Sequence, residues 1–262
     1  IAIGLAAAGG AIGVVIPPSI TFVVYGSIAD ASITDLFKAG VIPGLLMGLG
    51  LIVAALFVGR KANLTVQPKA SGKERLKAFK DAFWGLLMPV IILGGIYGSI
   101  FTPTEAAAVA VVYALIVGIF VYRELTWKRF VYAMADSTLV VGLIMLVLAC
   151  AQIYSWALTA GLVPQAIAQA IFSVSENPVV LLLLINAVLL LIGMFIEANA
   201  ALIILTPILF PIAMSAGIDP VHLGIIIVVN LSVGLLTPPV GIGLMLSAQL
   251  AKVNLVQAVK AV

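Results

Sequence analysis

The chain has 262 residues, 64% of them hydrophobic and only 9% charged, with a mean hydropathy of +1.31 and a formal charge of +3. A soluble domain carries about 25% charged residues, so this composition excludes a water-soluble protein and indicates an all-α polytopic membrane protein. The small positive charge is no sign of a nucleic-acid partner, because Lys and Arg lie between apolar spans and leave membrane lipid as the surrounding medium.

The first residue is Ile1, and the chain opens inside an apolar helix with no basic, apolar and small-residue leader pattern. The expectation is a fragment lacking its N-terminal part. Residues 2–28 form one apolar segment that cannot be one helix, because Gly13-Val14-Val15-Ile16-Pro17-Pro18-Ser19 lies at its centre. Each proline lacks an N–H and clashes with the preceding turn, and the residue before a proline is pushed out of helical geometry. Residues 30–38 read as a short polar turn. Residues 41–59 form a span opened by Pro43, with Gly44, Gly48 and Gly50 suited to close helix contact in lipid.

Residues 60–81 form one long basic loop holding Arg60, Lys61, Lys69, Lys73, Arg75, Lys77 and Lys80 against Glu74 and Asp81. Such a loop marks the cytoplasmic side. Spans follow at 82–100 and 106–122, joined by Phe101-Thr102-Pro103-Thr104-Glu105, and a second basic cluster of Arg123, Lys128 and Arg129 comes next. Thr102, Pro103 and Glu105 read as a capping box at a helix start. Residues 131–158 are long for one span, and Asp136 near their start reads as an interfacial ion-pair partner. Cys150, the single cysteine, cannot form a disulfide within the chain and reads as a small buried hydrophobe. Residues 161–174 are too short to cross and read as interfacial or re-entrant.

Residues 178–214 are almost wholly apolar but interrupted by Gly193-Met194-Phe195-Ile196-Glu197-Ala198-Asn199. Each arm has ~17 residues, the lower limit for crossing, so this reads as a helical hairpin with Glu197 and Asn199 at its turn. His222 follows Asp219-Pro220 at a helix start and reads as interfacial. Residues 222–251 repeat the first anomaly: Gly234-Leu235-Leu236-Thr237-Pro238-Pro239-Val240-Gly241 breaks a second apolar run with the same Gly-x-x-x-Pro-Pro spacing. Lys252 and Lys260 follow. Counting sides from the basic loop places residues 30–38 and Asp219 outside and Lys252 inside. The two broken helices then run in opposite directions, as an inverted repeat requires.

Broken backbone at bilayer depth is tolerated only in protein or facing a polar cavity. Freed carbonyls are hard ligands suited to a small alkali cation, and half-helix ends aim their dipoles at the gap. Each break is therefore a candidate Na⁺ site. Ser19 and Thr237 add hydroxyls, and Gly13, Gly234 and Gly241 permit close approach. At the hairpin turn Gly193 offers a carbonyl and Asn199 a side chain for a polar substrate. Glu197 reads either as a substrate-site carboxylate or as a turn residue. The chain has one histidine, no His-Glu-x-x-His and no P-loop, so no enzyme, transition metal or cofactor is expected, and the energy for transport comes from an ion gradient or a partner chain.

These motifs, with Leu36-Phe37-Lys38-Ala39-Gly40-Val41-Ile42-Pro43-Gly44 and Gly217-Ile218-Asp219-Pro220-Val221-His222, resemble the large membrane subunit of TRAP (tripartite ATP-independent periplasmic) transporters, over its C-terminal portion. The resemblance implies an inverted-repeat elevator transporter of the bacterial inner membrane, importing an organic acid such as a sialic acid or C4-dicarboxylate with Na⁺. Its implied partners are a periplasmic substrate-binding protein and a small membrane subunit. Implied Na⁺ ligands are Gly13, Ile16, Pro18 and Ser19 in one half and Gly193, Gly234, Thr237 and Val240 in the other. The implied division is 1–40 as a broken helix of the first repeat, lacking its hairpin; 41–175 as scaffold and connecting helices; and 176–262 as hairpin and second broken helix. A stand-alone Na⁺/carboxylate symporter of similar architecture is the second reading.

Overall fold

The computed structural model describes residues 2–61, 69–172, 177–251 and 253. Among the described residues every regular element is helical: α1 (Ala2–Val15), α2 (Ile20–Ala29), α3 (Ile33–Lys61), α4 (Gly72–Tyr97), α5 (Pro103–Ile116), α6 (Trp127–Ala160), α7 (Val163–Phe172), α8 (Pro178–Gly193), α9 (Ala198–Ser215), α10 (Pro220–Gly234) and α11 (Ile242–Leu250), with a π-helical turn at Val117–Val121. Among the described residues six segments are long and apolar enough to cross a bilayer, Gly4–Ala29 and Ala198–Ser215 among them. The chain is thus an all-α polytopic membrane protein. It forms two compact units, Ile1–Asn63 with Leu146–Val262, and Leu64–Met145.

The breaks fall where the prolines demand them. α1 stops at Val15 and α2 begins at Ile20, while α10 stops at Gly234 and α11 begins at Ile242. Both Pro-Pro bonds, Pro17-Pro18 and Pro238-Pro239, are cis. The hairpin also forms as expected. Its arms α8 and α9 have 16 and 18 residues, about 24 and 27 Å at 1.5 Å per residue, and pack against each other.

Lipid offers no hydrophobic drive between helices, so contact depends on fit and small residues. In the larger unit α10 is the central element, packed against α1, α2, α3, α8 and α9. Its Gly224 sits on the Tyr25 ring, where an added Cβ would come within 2.4 Å of a ring carbon. The Tyr25 hydroxyl donates to the Pro220 carbonyl at 2.7 Å, tying the end of α2 to the start of α10. The two broken segments also meet, through a cluster of Ala7, Leu244 and Ala248 between α1 and α11.

In the smaller unit α4 packs against α5. The hydroxyls of Tyr113 and Tyr122 donate to the carbonyls of Trp84 and Asp81 at 2.7 and 2.9 Å. The capping box at Thr102 is present: Thr102 Oγ1 accepts from the Glu105 N–H at 3.3 Å, and Glu105 Oε2 accepts from the Thr102 N–H at 2.8 Å. Losing one such cap costs about 1 kcal/mol. Thr102→Ala is therefore expected to lower the thermal midpoint slightly, and Thr102→Ser to leave it in place. Equal loss in both variants would show that the methyl group, not the cap, matters.

Four local expectations are corrected. The basic stretch is not a loop throughout, because α4 starts at Gly72 on a capping box of Ser71 and Glu74. Residues 62–68 of that stretch lie outside the described residues. Pro43 does not open its helix either. α3 starts ten residues earlier at Ile33, where Ser32 Oγ accepts from the Asp35 N–H at 3.2 Å, and the proline is carried inside. Cys150 is exposed on α6, a helix none of whose residues is buried. Asp136 has no ion-pair partner: the one ion pair among the described residues joins Lys38 to Asp35 at 3.7 Å. Lys252 and Lys260, which the topology count puts on the cytoplasmic side, lie outside the described residues.

Candidate functional site

Each Pro-Pro pair removes two N–H donors, so the carbonyls four residues earlier lose their helical partners. In the first break these are the carbonyls of Gly13 and Val14. The Ser19 hydroxyl donates to the Val14 carbonyl and accepts from the Phe22 N–H at 3.4 Å, so one buried hydroxyl both closes the break and caps α2. Ser19 is 3% exposed, whereas Gly13, Ile16 and Pro18 lie on the exposed side of the break. The Gly13 carbonyl is the one left without its helical donor.

The second break is closed differently. The carbonyls that lose their donors belong to Gly234 and Leu235. Gly234 O accepts instead from the Thr237 N–H at 3.0 Å, and Leu235 O from the N–H groups of Gly243 and Leu244 at 3.1 and 3.3 Å. Thr237 Oγ1 donates to the Val233 carbonyl at 2.9 Å, holding the frayed end of α10 in register while its lone pairs remain. The N–H groups of Val240 and Gly241 cross to another element: both donate to the Met194 carbonyl at the hairpin turn, at 3.3 and 3.4 Å. Gly241 has φ +49°, left-handed backbone that favours glycine, and starts α11.

The hairpin turn therefore sits on the second break. Gly193 and Gly234, both buried, face each other closely there. A Cβ on Gly234 would lie 2.6–2.7 Å from the Gly193 backbone, so only glycine permits the contact. Of the expected Na⁺ ligands, Gly193, Gly234, Thr237 and Val240 are thus brought together, while Gly13, Ile16, Pro18 and Ser19 gather at the other break.

Glu197 and Asn199 have defined partners. Glu197 is the N-cap of α9: Oε2 accepts from the Ala200 N–H at 2.9 Å, and Oε1 accepts from Asn199 Nδ2 at 3.0 Å. Both carboxylate oxygens are engaged in holding the turn, which is the turn-residue reading of the sequence. Asn199 Oδ1 accepts from Thr21 Oγ1 at 3.4 Å. Thr21 lies on α2, two residues past Ser19, and is 4% exposed. This Thr21–Asn199–Glu197 chain links the hairpin turn to the first break, as Met194 links it to the second.

Sequence reading did not single out Thr21, Met194, Asn186 or Asn230. Asn230 on α10 donates to Asn186 Oδ1 on α8 at 2.6 Å and to the Ile226 carbonyl at 2.8 Å, while Asn186 donates to the Leu182 carbonyl at 2.6 Å. The pair lies one turn before Gly234 and two turns before Gly193, and sets the register of that contact. Polar side chains inside apolar spans were the available signal. Interhelical bonds of this kind are worth about 0.6–2 kcal/mol in membranes. Asn230→Leu is expected to lower thermal stability by more than the double variant Asn186→Leu/Asn230→Leu, because the single change strands Asn186 Oδ1. Additive losses in a double-mutant cycle would show that the two side chains are not coupled.

The whole chain, residues 1–262, matches the family described as the DctM component of the tripartite ATP-independent periplasmic transporter. It is 44% identical over 258 residues to the C4-dicarboxylate TRAP transporter large permease protein DctM of Pseudomonas aeruginosa, covering 98% of this chain and 60% of that protein. It is 44% identical over 241 residues to the sialic acid TRAP transporter large permease protein SiaM of Vibrio cholerae, covering 92% and 56%. It is also 45% identical over 259 residues to the isethionate TRAP transporter permease protein DctMQ of Oleidesulfovibrio alaskensis, covering 98% and 41%. The chain spans between two fifths and three fifths of the length of these relatives. With both Pro-Pro breaks and the hairpin inside the matched residues, the chain belongs to the DctM component family of tripartite ATP-independent periplasmic transporters.

Proposed function

We propose that this chain is the part of a Na⁺-driven importer that carries ion and substrate in the bacterial inner membrane, moving a small organic anion by elevator-type alternating access. The observation that carries this reading is the seating of the hairpin turn on the second break, with the N–H groups of Val240 and Gly241 on the Met194 carbonyl. A turn that closes on unwound backbone can bind an ion where the carbonyls gather and close around a solute at the same time. Na⁺, the coupled cargo, would be held by oxygens of Gly193, Gly234, Thr237 and Val240 at one break and of Gly13, Ile16, Pro18 and Ser19 at the other. The chemistry fits, since these sites offer neutral oxygens and no carboxylate cluster: among the described residues no group of three His, Cys, Asp or Glu side chains is placed to hold a metal ion.

The relatives are named for C4-dicarboxylate, sialic acid and isethionate. Their shared chemistry is a small organic acid carrying a carboxylate or sulfonate. Half-buried Asn199 and buried Thr21 are neutral groups at the hairpin turn suited to such a solute, with Glu197 fixing Asn199. By family, the partners are a periplasmic substrate-binding protein and a small membrane subunit. The basic stretch 60–81 and the C-terminus face the cytoplasm. Uptake of a labelled dicarboxylate, sialic acid or isethionate into proteoliposomes holding the full-length complex, with binding protein supplied, tests the reading. Uptake should depend steeply on an inward Na⁺ gradient and fail without binding protein. Equal uptake with Na⁺ replaced by choline would overturn the coupling, and uptake without binding protein would favour a stand-alone symporter.

A further inference from the structure

α9 carries two interior prolines, Pro207 and Pro211. Neither has an N–H, so the carbonyls of Ile203 and Pro207 lose their helical donors. Beside them the Thr206 hydroxyl is fully buried, at 0% exposure, and has no hydrogen-bond partner. An unpaired hydroxyl in a protein interior is costly and calls for a partner. Thr206, Pro207 and Pro211 line one cavity of about 120 Å³, together with Gln152 and Ser155 of α6 and Ile28 of α2. That volume is well above the roughly 10–15 Å³ one water requires.

The cavity has a definite place in the fold. Thr21 and Ile28 are two turns apart on α2, as are Asn199 and Thr206 on α9. The cavity therefore lies about 10 Å along the α2–α9 seam from the Thr21–Asn199 hydrogen bond. Its lining includes Thr206, whose hydroxyl is an orphan donor, and Pro207, whose carbonyl loses its helical donor to Pro211. A cation could take lone pairs of both oxygens but would leave the Thr206 proton without an acceptor. Water both donates and accepts, and Gln152 and Ser155 can complete its shell.

We propose that this cavity is a resident water site, in which water accepts from the Thr206 hydroxyl and donates to the Pro207 carbonyl, and that the hydrated stretch 206–211 is the hinge of the hairpin's second arm. Kinks arise where proline or inserted water interrupts the helical ladder, and here both do. Water can follow a carbonyl as the helix bends, whereas a helical N–H cannot. The water assignment stands without the transport reading. The hinge gives that reading its moving joint and is tested here by a measurement that needs no transport.

The experiment uses the full-length protein with its small subunit in nanodiscs of phosphatidylethanolamine and phosphatidylglycerol. X-ray radiolysis after rapid mixing into ¹⁸O-water, followed by mass spectrometry, should place ¹⁶O label on Pro207, Phe210 and Pro211. Thr206→Val and Ala151→Leu should lower that label about tenfold, and Thr206→Ser should keep it. No label in the wild type means a dry cavity, and ¹⁸O label at the earliest mixing time means bulk water; either result overturns the site. For the hinge, hydrogen exchange at the amides of Ile208, Leu209 and Phe210 should be faster than in α10. Pro211→Ala, which restores a donor to the Pro207 carbonyl, should slow it about tenfold. Equal exchange in wild type and variant overturns the hinge. An absence of Na⁺-dependent uptake in the wild type would count against the transport reading alone.

Discussion

Gly234→Ala is expected to abolish uptake, while Gly193→Ala leaves a reduced but measurable rate. The two glycines face each other across the hairpin and the second break, yet the space around them is unequal. A Cβ on Gly234 points at the Gly193 backbone at 2.6–2.7 Å, a distance that only a backbone shift relieves. A Cβ on Gly193 meets the Gly234 Cα at 3.3 Å and Leu231 at 3.5 Å, which a few tenths of an ångström accommodate. Overpacking against fixed backbone costs about 3 kcal/mol, the upper part of the usual range. On that scale the seated turn loses roughly two orders of magnitude in population. The bulk of α10 stays anchored by Tyr25 and Asn186, so the protein should still fold and purify. Uptake in proteoliposomes, with a thermal midpoint to verify folding, separates the two variants. A Gly234→Ala protein that transports at the wild-type rate would show that the turn need not rest on the break.

The second large effect concerns the ion. Thr237→Ala should raise the Na⁺ concentration for half-maximal uptake about tenfold, equivalent to ~1.4 kcal/mol, with Thr237→Ser close to wild type. The Thr237 hydroxyl donates its proton to the Val233 carbonyl, which leaves its lone pairs to serve as a ligand. Alanine removes that oxygen and also loosens the last turn of α10. Thr104 is the control. It lies in the first turn of α5, exposed and remote in sequence from both breaks, and Thr104→Ala should shift Na⁺ dependence by less than about twofold. Equal shifts in the two variants would remove Thr237 from the ion's surroundings.

The architecture was legible because its main events are failures of regular structure. Pro17-Pro18 and Pro238-Pro239 forbid helix wherever they stand, and the arms on either side of residues 193–199 are too apolar and too long to be anything but a hairpin. The capping box at Thr102 and Glu105 is likewise written in adjacent residues. The same signature at Ser71 and Glu74 was masked by the surrounding lysines, which made a helix start look like a solvated loop. Pro43 misled for the opposite reason: proline suits a helix start, but the cap at Ser32 had already begun α3.

The site was less legible than the fold. A sequence shows which backbone groups lose their partners, not which distant group replaces them. Ser19 supplies its replacement from five residues away, but Val240 and Gly241 find theirs at Met194. Thr21 and Asn199 are 178 residues apart, and Asn186 and Asn230 are 44 apart. Such pairs carry no local pattern beyond a polar side chain in an apolar run. Cys150 illustrates the same limit, since an apolar neighbourhood in sequence does not say whether α6 is covered, and none of its residues is buried.

The Asn186–Asn230 bond has a consequence for how the hairpin divides its labour. Together with the Gly193–Gly234 contact it fixes α8 to α10 at two heights, so the first arm and the broken helix travel as one part. The second arm lacks such a clasp to α10 and holds the two prolines. On the transport reading proposed above, release of the turn is one-sided, with α8 as the post and α9 as the leaf of the gate.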